Sequence, residues 1–183
     1  MSKKRQLLVD TALGLFYGYG IKSIGINEVL KVSGVAKRTL YSHFESKDDL
    51  VVAALAQRHQ GFMSWLERKL SEVSSDEEVI TYLFQALDDW FNDKEAELGH
   101  FRGCFFINTS AEFSDLDSDI AKYCRYHKEQ VREVIAQKLS GEHPLLLDAI
   151  CIMKEGAITT AHLTGNGTDV TRKCIAVLKS ILQ

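Results

Sequence analysis

The sequence predicts an all-α protein. Apolar residues recur at the three- and four-residue spacing of amphipathic helices along almost the whole chain, as at Leu8, Ala12, Leu15 and Phe16. No segment of useful length alternates apolar and polar residues in the way that strands do. The 183 residues include a single proline, so the interiors of long helices are uninterrupted. Together these observations favour a helical fold over one based on sheets.

The first two predicted helices are delimited by glycines. The first covers residues 3–17 and ends at Gly18-Tyr19-Gly20, where the chain can leave the helical conformation. The second is short, and its apolar face is formed by Ile26, Val29 and Leu30. Gly34 follows it, and glycine readily adopts the left-handed conformation that a tight bend requires.

The third predicted helix, at about residues 36–44, is too short and too polar to be stable alone. It is rich in hydrogen-bonding side chains, which are Lys37, Arg38, Thr39, Tyr41, Ser42 and His43. The segment Ser46-Lys47-Asp48-Asp49 resembles a capping box, in which a serine and a carboxylate pair with the first free N–H groups of a helix. It predicts a long fourth helix that ends near residue 71.

Five more helices are predicted in the rest of the chain. Ser75 and Glu78 repeat the capping pattern, Pro144 suits the first position of a helix, and Thr168 can cap the last one. The expected bounds are 75–92, 101–113, 118–139, 144–163 and 168–182.

The charge is divided unevenly along the chain, although the formal net charge is only -3. Residues 1–60 contain 9 Lys and Arg against 5 Asp and Glu, a net of +4, and the remainder contains 13 against 20, a net of -7. A basic N-terminal region on an acidic body is suited to contact with phosphates at one end only. No apolar run is long enough to span a membrane, and the basic start does not resemble a signal peptide. We therefore expect a cytoplasmic protein that does not bind membranes.

The sequence offers little support for a metal centre, a cofactor or an enzyme. The four cysteines are far apart without a CxxC pair, which favours buried thiols over a redox switch. The histidines are scattered, so no set of four metal ligands emerges. Gly18-Tyr19-Gly20 lacks the third glycine of a dinucleotide-binding loop and follows a helix, where a strand would be required. We predict no cofactor, no metal and no catalytic residue.

The segment from Ile21 to Leu50 combines two short helices, a glycine-containing turn and a donor-rich second helix. This arrangement is typical of a helix-turn-helix, whose second helix binds in the major groove of DNA. The run from Gly34 to Phe44, with Ser46 to Leu50, resembles the N-terminal DNA-binding domain of TetR-type transcriptional regulators. The resemblance is close over about the first third of the chain.

The resemblance implies a helix-turn-helix DNA-binding domain of three helices at residues 1–50. Residues 51–183 are then expected to form a helical domain that binds an effector and mediates dimerisation. The expected function is that of a DNA-binding transcriptional regulator, more often a repressor, that a small molecule releases from its operator. The alternative is a helical protein that binds a small molecule and uses its N-terminal domain for protein contacts. Salt-dependent binding to duplex DNA would separate the two functions.

The candidate DNA-binding residues follow from the same segment. By matching positions, Tyr41 and Lys47 are expected to bind phosphates. His43 is a further candidate for these contacts, and the alternative for it is helix packing beside Phe44. The residues at the start of the third predicted helix, the second of the helix-turn-helix, are candidates for contacts with base edges. An arginine, for example, can bind guanine through two hydrogen bonds. These candidates for base contacts are Lys37, Arg38 and Thr39. Asn27, near the start of the first short helix, is a candidate for contact with either a phosphate or a base edge.

The last two predicted helices are candidates for a homodimer interface. Small residues recur at heptad spacing in the first of them, which would admit a close approach of helices, and the second has an apolar side. This pattern also suits a hairpin buried in the monomer. The resemblance favours a four-helix bundle between two subunits that read a two-fold symmetric operator of double-stranded DNA. The candidates are Ala149, Ile152, Gly156, Thr160, Leu163, Val170, Cys174, Val177, Leu178 and Ile181.

A pocket for a small-molecule effector, whose identity is unknown, is expected in the C-terminal domain. Each aromatic residue there also suits ordinary core packing. Polar groups within apolar stretches are candidate anchors and nearby phenylalanines candidate walls of such a pocket. The anchors are Asn108, Glu112, His127 and Thr159, and the walls are Phe62, Phe84 and Phe105.

Overall fold

The computed structural model describes residues 2–183 and confirms the all-α prediction, because 72% of the chain is helical and no strand occurs within that range. The only non-α helix there is a short 3₁₀ helix at Ala96–Leu98. In chain order the α-helices are α1 Lys3–Tyr19, α2 Ile26–Ser33, α3 Lys37–Tyr41, α4 Lys47–Lys69, α5 Asp76–Phe91, α6 Phe105–Glu112, α7 Asp119–Ala136, α8 Leu146–Thr164 and α9 Gly167–Ser180.

Two predicted capping boxes are confirmed. The N–H of Asp49 donates to Ser46 Oγ at 3.1 Å, and Asp49 Oδ2 accepts the N–H of Ser46 in return, so α4 begins where expected. The N–H of Glu78 donates to Ser75 Oγ at 3.2 Å at the start of α5. The returning bond of Glu78 goes one residue further, to the N–H of Ser74. Such caps stabilise a helix by about 1 kcal/mol each.

Two predicted helix starts are wrong. Pro144 is not the first residue of α8, because His143–Leu146 form a turn, closed by the Leu146 N–H on the His143 carbonyl at 3.0 Å, that delays the helix by two residues. Thr168 does not cap α9. Asn166 does so through its side-chain oxygen, which accepts the Asp169 N–H, and Thr168 lies inside the first turn.

The first compact unit consists of the chain up to Gln60 together with Phe105–His127. Its core is apolar and includes fully buried side chains from α1, α3 and α4. Arg5 of α1 lies over the ring of Phe44 at 5.0 Å, which helps to hold α1 beside the end of α3. The fully buried members of this core include Leu8, Phe16, Ile21, Leu40, Leu50 and Leu55.

The second compact unit consists of Gly61–Cys104 and Lys128–Gln183. Within it α9 packs against α5 and α8. Its aromatic cluster joins Trp65 and Trp90, whose ring centroids lie 6.3 Å apart, to Phe62 and Phe101. These units follow spatial contacts, and the predicted boundary after Leu50 between a DNA-binding and an effector-binding domain stays a prediction.

The four cysteines are free thiols. Cys104, Cys124 and Cys174 are buried, as predicted, whereas Cys151 is half-buried. Burial raises the pKa of the Cys151 and Cys174 thiols, which disfavours the reactive thiolate form.

Among the helices described for residues 2–183, none has the length and apolar character needed to cross a bilayer.

Candidate functional site

The bend between α2 and α3 depends on Gly34. Its φ of 68° and ψ of 8° lie in the left-handed region, which side chains with a Cβ adopt only at a cost. The N–H of Gly34 donates to the Leu30 carbonyl at 2.9 Å and so closes α2. The Val35 N–H then donates to Ser33 Oγ at 3.3 Å. The predicted glycine turn is confirmed, and it fixes the direction in which α3 leaves α2.

One face of α3 is anchored in the core. Leu40 is fully buried, and Val35 and Phe44 on either side of the helix are also buried. The Ala36 carbonyl accepts the N–H groups of Thr39 and Leu40 at 2.9 and 3.1 Å, which starts the helix without a side-chain cap. Because the apolar residues point inward, the polar residues between them are turned towards the outside.

The outward face of α3 presents cations and a phenol. Lys37 and Arg38 are exposed, and the Tyr41 side chain is 47% exposed. Among the residues that the structure describes, no ion pair involves Lys37 or Arg38. Both positive charges are therefore available to an anionic partner such as a phosphate.

Three other candidates surround this face to different extents. Asn27 on α2 is exposed, whereas Thr39 is half-buried. His43 is also half-buried, and its ring meets that of Phe44 edge to face at 6.5 Å. Asn27 is thus accessible to a partner, while Thr39 and His43 also contribute to packing. Their contacts with DNA stay predictions.

Lys47 has a partner inside the protein. Its Nζ donates to the Ile21 carbonyl at 2.6 Å and lies 5.8 Å from the centre of the Phe16 ring. Burial lowers the pKa of Lys47, an effect that the nearby carboxylates of Glu112 and Asp48 oppose. An ammonium group has three donors, so one contact with the backbone leaves others for a phosphate. The predicted phosphate contact of Lys47 stays a prediction.

Four candidate ligand residues lie in the first compact unit. Phe105 is buried and meets Tyr17 edge to face at 5.8 Å, whereas Asn108 is exposed. The half-buried Glu112 accepts the N–H groups of Ile21 and Lys22. The fourth candidate, His127, is buried.

The His127 ring is stacked on Phe106 with centroids 3.5 Å apart. Its Nδ1 lies 3.0 Å from Nδ1 of His59, so one ring must donate a proton and the other must accept it. The rings of Tyr123 and Tyr126 also pack against His59. Burial lowers the pKa of His59 below its ordinary value. The pair therefore favours a state in which at least one imidazole is neutral.

We expect acid to destabilise this protein through His59. Since the pKa of His59 is lower in the folded protein, the unfolded chain binds the proton first as the pH falls through the ordinary value of 6.5. Stability is then lost below that pH. Going from about pH 7.5 to about pH 5.5, the melting temperature of His59→Gln should therefore fall less than that of the wild type. Calorimetry at matched concentrations checks this.

His162 provides the control for that experiment, because it is exposed. His162→Gln should follow the wild-type pH dependence. If His59→Gln were as sensitive to acid as the wild type, the shared-proton description of the pair would be wrong.

Three candidate ligand residues lie in the second compact unit. Phe62 is buried and contacts Trp65 and Trp90, with ring centroids 5.0 and 5.7 Å away. Phe84 is buried beside a cavity of about 200 Å³ that Thr171 and Ile175 of α9 also line. Thr159 is exposed on α8. Phe62 and Phe84 therefore belong to the core, and the role of all three in binding a ligand stays a prediction.

The candidate dimer residues divide by burial. Cys174 and Leu178 are buried within the second compact unit, and Ala149 and Val170 are half-buried. The others are exposed, with Ile152 at 72%, Leu163 at 78% and Val177 at 51% for the large apolar side chains. The remaining exposed members are Gly156, Thr160 and Ile181. The two helices thus carry large apolar groups on their outer side.

Sequence reasoning missed two contacts in the first compact unit. Glu112 meets the backbone of Ile21, 91 residues earlier, and His59 meets His127, 68 residues later. Neither pair forms a local motif, so periodicity and spacing give no signal for them. Only the folded chain shows that these polar groups satisfy one another.

Comparison with known proteins agrees with this geometry. Residues 8–54, which span α2, the glycine turn and α3, match the family described as bacterial regulatory proteins, tetR family. The uncharacterised HTH-type transcriptional regulator YezE of Bacillus subtilis is 24% identical over 127 residues, which is 69% of this chain and 63% of that protein. The HTH-type transcriptional repressor ComR of Escherichia coli is 29% identical over 118 residues, or 64% of this chain and 54% of that protein. The chain therefore spans less than two thirds of the length of these relatives.

The structural similarity extends further along the chain. The crystal structure of SCO4454, a TetR-family transcriptional regulator from Streptomyces coelicolor, aligns with a TM-score of 0.82 at 25% identity. The alignment covers 98% of this chain and 94% of that protein. The predicted resemblance is confirmed by the family match and by these relatives. The glycine-turned helix pair and its cationic outer face thus lie within the segment that matches the tetR family of bacterial regulatory proteins, and the fold of the chain is similar to that of a TetR-family regulator.

Proposed function

We propose that this protein is a transcriptional repressor that binds a two-fold symmetric DNA operator as a homodimer and is released from it by a small molecule. The observation that carries the proposal is the outer face of α3. It combines two cations that form no ion pair among the described residues with the phenol of Tyr41, on a helix held in place by the buried Leu40. A short, firmly anchored helix with donors on its outer face suits the major groove.

The exposed apolar side of α8 and α9 supports the dimeric part of the proposal. Large apolar side chains such as Ile152 and Leu163 seldom share one exposed face of a monomer without a partner. Regulators of the tetR family bind operator DNA and ligands as dimers. A symmetric interface through these helices would join two copies of α3 in one dimer, as a two-fold operator requires.

The effector-binding part of the proposal rests on the family and on the polar groups near aromatic rings. A ligand releases the operator only if it binds the DNA-incompetent arrangement more tightly than the competent one. His127 is stacked on the ring of Phe106 and lies beside His59, so an apolar wall and hydrogen-bonding groups occur together, which is the composition that such sites use. The chemical identity of the effector is left to a screen for compounds that release the DNA.

The test begins with duplexes selected from a random pool by the full-length protein. The logarithm of the binding constant should fall linearly with the logarithm of salt concentration, by about 0.9 for each phosphate contact. Binding that is weak and independent of salt would exclude an operator-binding function. A protein-interaction module would show that result.

Two variants then separate base contacts from phosphate contacts. Arg38→Ala should lower affinity for the selected site about tenfold or more and for scrambled duplexes much less, because a base contact contributes about 1–3 kcal/mol of discrimination. Tyr41→Phe removes only a hydroxyl and should lower the affinity for selected and for scrambled duplexes by the same factor. Equal losses on both duplexes for Arg38→Ala would contradict its assignment to a base.

A further inference from the structure

The turn between α1 and α2 is clamped by side chains on both sides of its backbone. The N–H of Ile21 donates to Glu112 Oε1 at 2.8 Å, and the N–H of Lys22 donates to Glu112 Oε2 at 2.6 Å. From the other side, Lys47 Nζ donates to the Ile21 carbonyl at 2.6 Å. Both polar groups of the Ile21 backbone are thus bound by charged side chains from other helices.

A carboxylate is well suited to this position. Two consecutive N–H groups point the same way after the end of α1, and a carboxylate offers two oxygens that can accept both. The Ile21 side chain is buried, so its N–H would be costly to leave without an acceptor. Gly20 admits the close approach, because a Cβ at that residue would lie 3.3 Å from Glu112 Oε1. Its φ of 85° is also one that glycine adopts readily.

A second contact joins the same two segments. The Lys22 ammonium lies 5.7 Å from the centre of the ring of Phe113, the residue that follows Glu112. The end of α6 and the residue after it therefore hold the turn in two ways: Glu112 binds the backbone of the turn, and Phe113 contacts the Lys22 side chain. All of these residues belong to the first compact unit.

We propose that Glu112 is a positioning residue for operator binding, although it lies outside the DNA-binding domain that the sequence delimits. The proposal rests on the proposed function. The turn that Glu112 holds leads directly into α2, which begins at Ile26, and α2 sets the direction of α3 through Gly34. Fixing Ile21 and Lys22 thus removes freedom from the helices that face DNA. In this role Glu112 binds the protein backbone, where the sequence predicted a ligand anchor.

Glu112→Gln distinguishes this role from simple electrostatics. The substitution removes a negative charge, which by itself should tighten the binding of any polyanion. A positioning role predicts the opposite sign, because the amide replaces one acceptor with a donor that faces an N–H. We expect operator affinity to fall about tenfold, as for the loss of one charge-assisted hydrogen bond.

Asp117→Asn is the matched control, since it removes the same charge from an exposed turn five residues further along. It should leave operator affinity unchanged or slightly raised. Hydrogen exchange on the full chain adds a readout that a general loss of stability would not give. The amides of Ile21 and Lys22 should be protected in the wild type and exchange faster in Glu112→Gln, while amides in the middle of α7 keep their wild-type rates.

The outcomes separate the two proposals. Glu112→Gln binding the operator as tightly as Asp117→Asn would overturn the positioning role and leave the proposed function intact. Fast exchange of Ile21 and Lys22 in the wild type would also overturn it, whatever the variants do. A wild-type protein that binds no duplex would overturn the proposed function, and the positioning role with it.

Discussion

Ile152→Glu is expected to convert the proposed homodimer into monomers and to lower operator affinity by about 100-fold or more. Ile152 lies in the middle of α8, and its side chain is 72% exposed. A glutamate there is harmless to an isolated subunit but places two unpaired charges in a symmetric apolar interface, which is costly. Each monomer then binds one half-site alone and loses the gain that comes from linking two DNA-binding heads. Sedimentation velocity and operator binding measure the two effects.

Leu116→Glu is the control for the dimer experiment. Leu116 is 69% exposed, so the substitution introduces the same charge at an equally accessible leucine, but it lies in the turn before α7. It should remain dimeric with wild-type operator affinity. A dimer that survives Ile152→Glu with unchanged affinity would move the interface away from this face of α8.

Gly167→Ala is expected to destabilise the protein by about 1–3 kcal/mol, the usual cost of overpacking. Gly167 is the first residue of α9, and a Cβ there would lie 2.7 Å from Cβ of Phe91 and 2.8 Å from its ring. Because the contact is with Cβ of Phe91, rotation about the bonds of that side chain does not relieve it. The melting temperature should fall by about 2–4 °C for each kcal/mol. Circular dichroism at a fixed protein concentration measures it.

The opposite sign is expected for Gly61→Ala, which makes the same chemical change. Gly61 lies inside α4, is exposed, and has no atom within 4 Å of the position of an added Cβ. Alanine should therefore stabilise the helix by about 0.5–1 kcal/mol. If both variants shifted the melting temperature in the same direction, the close contact between Gly167 and Phe91 would not be the controlling factor.

Features that depend on neighbours in sequence were predictable. The capping pairs Ser46–Asp49 and Ser75–Glu78 each join residues that are three positions apart. Both members of each pair can therefore be recognised together in the sequence. The turn at Gly34 was predictable for the same reason, because few residues other than glycine adopt the left-handed conformation that ends a short amphipathic helix.

Helix starts that depend on competing local bonds were less predictable. Pro144 suits the first turn of a helix, but the carbonyl of His143 captures the Leu146 N–H in a turn. Asn166 and Thr168 are both good caps, and the sequence alone does not rank them. Asn166 caps α9, and Gly167, which packs against Phe91, becomes its first residue. The choice between Asn166 and Thr168 as the cap, which local preference leaves open, thus goes together with the packing of Gly167 against Phe91.

Contacts between distant segments were beyond the sequence. Glu112 stood out as a polar residue after an apolar stretch, and the general chemistry of pockets made it a candidate ligand anchor. Its two oxygens accept backbone N–H groups about 90 residues earlier. Backbone donors have no residue identity, so no pattern of side chains could have indicated them.

The placement of the indole rings has a practical consequence for spectroscopy. The chain has two tryptophans, and Trp65 and Trp90 both lie in the second compact unit. Intrinsic emission excited through indole therefore originates from that unit, and the helices that we propose to face DNA contribute no indole. A titration that leaves the emission spectrum unchanged says nothing about whether α3 has engaged a duplex. Optical studies of that event need a reporter dye attached near α2 or on the nucleic acid.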